Sequence, residues 1–112
     1  MAGRSTILDY GTATRTTPVN LWNALVVRDG GCRWPGCDRP PEWCQAHHVR
    51  WASQGGPTRP DNEALLCTRH HHIAHLPGWH VRLDADATLH VTDPNSRTRT
   101  TRPPGTLLPL VA

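Results

Sequence analysis

All but two of the chain's 4 cysteines and 8 histidines fall within the 44 positions from Cys32 to His75. They are Cys32, Cys37, Cys44, His47, His48, Cys67, His70, His71, His72 and His75. That concentration constrains the fold more than any other feature of the sequence. A chain of 112 residues with 37% hydrophobic residues and no Phe builds one domain around a small core. Domains of that size usually depend on a staple, and clustered thiols and imidazoles in a reducing compartment supply one by binding metal.

Two ligand sets can be drawn from the cluster. Cys32 and Cys37 (C-x4-C) with Cys67 and His70 (C-x2-H) make a Cys3His set, closed to water and therefore structural; zinc is the expected ion. A Cys32–Cys37 disulfide or plain buried thiols are the alternative. Cys44 stands three residues before His47, repeats the C-x2-H pattern and competes as a fourth ligand, ranked below His70. The second set comprises His47, His48, Asn62, His71 and His75. His71 and His75 are i and i+4, so a helix places both imidazoles on one face, ready to share a metal. His47 and His48 are neighbours on an extended segment and point to opposite faces, so one should ligate while the other reaches a substrate. Metal-assisted phosphodiester hydrolysis divides its labour in that way: a Lewis acid on phosphate, and a base for water. The bland alternative is a surface run of histidines with no shared role.

The formal charge is +3, and all 12 basic residues are Arg. The planar guanidinium fits phosphate oxygens bidentately, which suits DNA as a partner. A GC-rich gene would give the same bias. No apolar run approaches the roughly 20 residues of a membrane span, and the N-terminus lacks the apolar stretch of a signal peptide. A cytoplasmic protein with no membrane partner is the expectation, its oligomeric state left open.

Along the chain, residues 1–17 read as irregular. Thr17-Pro18 predicts a helix cap, and Trp22, Leu25 and Val26 predict a helix over 18–28, stopped by Gly30-Gly31. Residues 43–51 read as extended and 53–60 as a Gly/Pro-rich loop. Asp61–His75 reads as helical, interrupted near Cys67, where Thr68 would cap a second helix. Alternation in 79–83 and 88–92 predicts a hairpin. Residues 93–112, with 4 prolines and Arg97, Arg99 and Arg102, read as a disordered basic tail.

The run A46-H-H-V49, G55-G56-P-T and D61-N62-E-A-L-L-C67-T-R-H-H71-H-I-A-H75 resembles an HNH endonuclease. More narrowly, it resembles bacterial proteins whose HNH domain follows a helical domain of unknown function. L8-D-Y-G, T14-R-T, R28-D-G-G-C-R-W-P-G-C37-D-R-P and P77-G-W79 agree with that group, so the resemblance covers residues 8 to about 92. The spacing carries it: 14 residues from His48 to Asn62, nine from Asn62 to His71, then H-x3-H. The resemblance implies an α+β, zinc-stapled ββα-metal fold with an N-terminal helix and a C-terminal hairpin, the domain spanning residues 18–92. By the same resemblance His48 is the general base and Asn62 holds the His-bearing segment. His47, His71 and His75 hold one catalytic divalent ion (Mg2+, Mn2+, Ni2+ or Zn2+), and Cys32, Cys37, Cys67 and His70 hold the structural zinc. The activity expected is DNA phosphodiester hydrolysis, with Arg50, Arg97, Arg99 and Arg102 as candidate DNA contacts. The helical domain of the relatives does not precede these residues, so a stand-alone nuclease and a truncated, inactive remnant are both expected forms. A non-catalytic zinc module that binds nucleic acid or protein is the rival, and His48 with Asn62 discriminates, since a binding module has no use for either.

Overall fold

The computed structural model describes Gly11 and residues 16–104, forming an α+β domain with two helices and two antiparallel sheets. The expected irregular segment 1–17, the L8-D-Y-G and T14-R-T matches and the end of the tail (105–112) lie almost wholly outside the described residues.

Helix α1 runs Val19–Asp29 and buries Leu21 and Leu25 completely, four residues apart on one face. It stops where Gly30 adopts φ 70°, a conformation that costs glycine nothing, and donates its N–H to the Val26 carbonyl at 2.9 Å. The start differs from expectation. Pro18 sits at the cap position with no side-chain cap bond, and the Thr17 hydroxyl instead donates to Glu63 Oε1 at 2.6 Å.

Strand β1 (Cys44–His48) pairs antiparallel with β2 (Glu63–Cys67), Cys44 opposite Cys67 and His48 opposite Glu63. β2 is a correction, because Asp61–Cys67 was expected to be helical. A short turn over Pro60–Asn62 leads into a strand whose five residues are all buried. A short, continuously buried run has no polar face to reveal its period, so helix and strand look alike in sequence. Here β1 supplies the backbone partners and α1 packs against it. Helix α2 (Thr68–Ala74) follows directly, with Cys67 rather than Thr68 at its cap.

The second sheet orders β3 (His80–Leu83), β4 (Leu89–Thr92) and β5 (Thr98–Thr101). The expected hairpin is present, but the tail is not disordered from residue 93. Asp93 Oδ1 accepts the N–H groups of Asn95 and Arg97, closing a turn, and β5 then pairs with β4. An exposed edge strand of Thr and Arg carries no apolar signature, so it reads as loop; its β-branched threonines suit the pleat.

The two sheets are tied together by a buried charge pair. Arg33 Nη1 meets Asp29 Oδ1 at 2.8 Å, and Arg33 Nη2 donates to the carbonyls of Ala87 and Thr101. Asp29 Oδ2 also accepts the Leu65 N–H, and the Thr101 hydroxyl returns a bond to the Arg33 carbonyl. Asp29→Asn keeps the shape but removes the countercharge. It should cost about 3–5 kcal/mol in denaturant unfolding, the scale of a buried ion pair that loses one partner, because Asp29 also holds Arg28.

Candidate metal centre and adjacent cleft

The hairpin β1–β2, helix α2 and the turn after α1 bring seven of the sequence-selected side chains into two groups, with His48 beside the second. Cys32, Cys37, Cys67 and His70 form the first group, their ligand atoms all within 4.8 Å of one another. His70 Nδ1 lies 3.3 Å from Cys67 Sγ and 3.6 Å from Cys32 Sγ. A tetrahedral ion with thiolate and imidazole ligands separates S from N by about 3.5 Å, from bond lengths near 2.3 and 2.0–2.1 Å. The residues present therefore fit a metal ion.

Trp34 holds the His70 ring in place, stacked at 4.8 Å and 3°. Burial pushes the Cys32 thiol up to about 12. Burial acts on Cys67 too, but the amides and thiols around it at the start of α2 outweigh it and hold that thiol below its ordinary range. All four cysteines are free thiols, Cys32 and Cys37 standing in the group as two separate ligand atoms. Cys44 stands outside the group, its thiol donating to the Pro40 carbonyl at 3.3 Å and raised to about 11 by burial.

His47, His71 and His75 form the second group, again with ligand atoms within 4.8 Å. His71 comes from within α2 and His75 from its C-cap, which is still right-handed helical backbone, so the i, i+4 spacing holds. His47 projects from β1 opposite Ala64, whose small side chain leaves room. Its Nδ1 is buried without a hydrogen-bond partner. A buried imidazole nitrogen with no partner is costly, and the three rings offer ligand atoms within 4.8 Å of one another, so these residues also fit a metal ion. Trp51 packs on His75 at 4.7 Å.

Burial lowers His47 to about 3, with the neighbouring histidines adding to the effect. His71 is lowered by burial and then by His75. Both are thus neutral and able to ligate near pH 7. The linkage has a definite sign. The unfolded His47 takes a proton near 6.5 and the folded one only near 3, so stability is complete above about 6.5 and falls below it. With no ion on the imidazoles, urea unfolding should lose about 1.4 kcal/mol for each pH unit between about 6.5 and about 3.

His48 stands apart from this triad, as the opposite-face argument expects. With His47, His71, His75, Trp51 and Ala52 it lines a cleft of about 400 Å3. Its Nε2 lies 2.9 Å from Thr58 Oγ1 and 3.7 Å from Glu63 Oε2. Asn62 clamps the intervening loop: its Oδ1 accepts the Arg50 N–H, and its Nδ2 donates to the carbonyls of Arg50 and Pro57. Gly56 packs so closely on Arg50 that a Cβ there would overlap the Arg50 carbonyl. Arg50 itself is exposed. Arg97, Arg99 and Arg102 are exposed on and around β5, and none of them lines the cleft.

Sequence reasoning missed Glu63, Thr58, Trp34 and Trp51. One signal was available for Glu63, a lone acid in an otherwise apolar run. The other three meet their partners only through tertiary packing.

The comparisons with known proteins give relatives without a described function. The chain is 41% identical over 78 residues to the uncharacterized protein Rv3776 of Mycobacterium tuberculosis (strain ATCC 25618 / H37Rv), covering 69% of this chain and 15% of that protein. It is 40% identical over 79 residues to the uncharacterized protein Rv2100 of the same strain, covering 69% of this chain and 14% of that protein. A third, Rv1128c, is 39% identical over 61 residues, 54% of this chain and 13% of the relative. The chain thus spans about one-seventh of the length of the curated relatives it matches. No family model and no solved structure matches. Among the described residues, no helix is long and apolar enough to cross a membrane.

Proposed function

We propose that this chain is an HNH-type nuclease domain that hydrolyses DNA phosphodiester bonds, with a structural zinc on Cys32, Cys37, Cys67 and His70. The observation that carries the reading is the pairing of an open three-imidazole group with His48, a fourth imidazole excluded from it, in one cleft. A purely structural centre is closed by four ligands, whereas a reactive one keeps a position for water and substrate. His47, His71 and His75 would hold a divalent ion, which would supply Lewis acidity toward the phosphate. His48 takes the proton of the attacking water. Asn62 keeps the loop after His48 from drifting, and so keeps the base at its distance. Three imidazoles and no carboxylate favour Mn2+, Ni2+ or Zn2+ over Mg2+, which prefers oxygen ligands.

Guanidinium groups around the domain meet the DNA backbone, Arg50 nearest the cleft in sequence. Binding should weaken steeply with salt through counterion release. Supercoiled plasmid should be nicked or linearised with Mn2+, Ni2+ or Zn2+ and more slowly with Mg2+, and EDTA should stop the reaction. Plasmid that is bound but left intact under every ion would sink the nuclease reading and select the binding module.

A further inference from the structure

Behind His48 lies an acidic group that the proposed chemistry does not use. Glu63 is 0% exposed, on a strand that is buried throughout. Burying a carboxyl group is expensive, so its surroundings indicate what keeps it there. Oε1 accepts the Thr17 hydroxyl at 2.6 Å. Oε2 has no hydrogen-bond partner and stands 3.7 Å from His48 Nε2. The pairing is imposed by the sheet: Glu63 and His48 are directly opposite in the β1–β2 register, and opposite residues share a face. The same Nε2 lies 2.9 Å from the hydroxyl of Thr58, itself 1% exposed.

A neutral imidazole carries one N–H, and its surroundings decide on which nitrogen. A lone pair on Nε2 would face the unpartnered carboxylate oxygen in a dry interior, where like-signed partial charges repel strongly. An N–H on Nε2 is attracted to that oxygen and donates to Thr58. Burial holds the Glu63 carboxyl above its ordinary value, and the Thr17 bond and the Arg28 charge offset only part of that rise.

We infer that Glu63 is a positioning residue for His48, its buried carboxylate placing the imidazole proton on Nε2 and the proton-accepting lone pair on Nδ1. Its effect on rate rests on the nuclease reading, but the tautomer does not. Glu63 acts through His48 and touches neither ion nor DNA.

The test uses the full, zinc-loaded chain. Long-range 1H–15N correlation spectra near neutral pH read the tautomer of His48, assigned by the signals lost in His48→Gln. Wild type is expected to show the Nε2–H form. Glu63→Gln should shift His48 toward a mixture or the Nδ1–H form. Glu63→Asp, which keeps a carboxylate, should retain Nε2–H. In plasmid cleavage Glu63→Gln should lower kcat by about 10–100-fold with KM and zinc content unchanged, and Glu63→Asp should recover most of it. Wild-type His48 in the Nδ1–H form overturns the inference without any variant, as does an unaltered tautomer in folded Glu63→Gln. A tautomer that depends on Glu63 in a protein that cuts no plasmid upholds the positioning role and rejects the nuclease reading alone.

Discussion

Cys67→Ser is expected to leave little folded protein. Cys67 Sγ stands 3.3 Å from His70 Nδ1 in the group that ties the Cys32–Cys37 turn to the start of α2. Binding free energy at a structural zinc is folding free energy, about 10–16 kcal/mol in small zinc domains. The whole stability of a domain this size is about 5–15 kcal/mol, so losing one thiolate removes most of it. Insoluble expression, or a melting transition lowered by tens of degrees with zinc lost by elemental analysis, is the outcome to look for. His71→Ala is the control, since it leaves the Cys3His group whole. It should melt close to wild type and retain one tightly held zinc, yet lose cleavage. If instead His70→Ala is stable and inactive while His71→Ala collapses, the two adjacent histidines have exchanged roles.

The second large effect is kinetic. His48→Ala should reduce plasmid cleavage by about 10²–10⁴-fold, the usual contribution of a general base. Affinity for uncut DNA should change little, because His48 carries no phosphate-binding charge in this reading. The loss in stability should be about 1 kcal/mol, the worth of the bond to Thr58. Gel-shift and cleavage assays on the same preparation separate the two quantities. A variant that cuts like wild type would remove His48 from the chemistry and leave the triad without a base.

What could be read in advance follows the range of the interactions involved. The His71–His75 spacing is local to one helix, and the alternation of His47 and His48 is local to one strand. Both were legible in part: His47 groups with His71 and His75 and His48 stays out of that group, but His48 still lines the same cleft. α1 and its glycine stop were legible for the same reason. Strand β2 was not, because Glu63–Cys67 is covered on both faces and its period is hidden. Thr17 looked like a helix cap, but its hydroxyl is taken by Glu63, 46 residues away. β5 looked like tail because an edge strand of Thr and Arg needs only backbone partners, which composition does not advertise.

The bonds between Arg33 and Thr101 bear on the timing of folding. A guanidinium sealed into the interior at 3% exposure takes one of its acceptors from a residue 68 positions downstream. During synthesis, which proceeds from the N-terminus at roughly 5–20 residues per second, that acceptor arrives several seconds after Arg33 itself. Until then the nascent chain can fold the hairpin and α2 and can place Arg33 Nη2 on the Ala87 carbonyl, but it lacks that nitrogen's second acceptor and the Thr101 hydroxyl's bond to the Arg33 carbonyl. The bonds that β5 adds beside Arg33 are therefore the last of this cluster to form. A chain shortened to end before Thr98 should be cut by proteases more readily than the 112-residue chain.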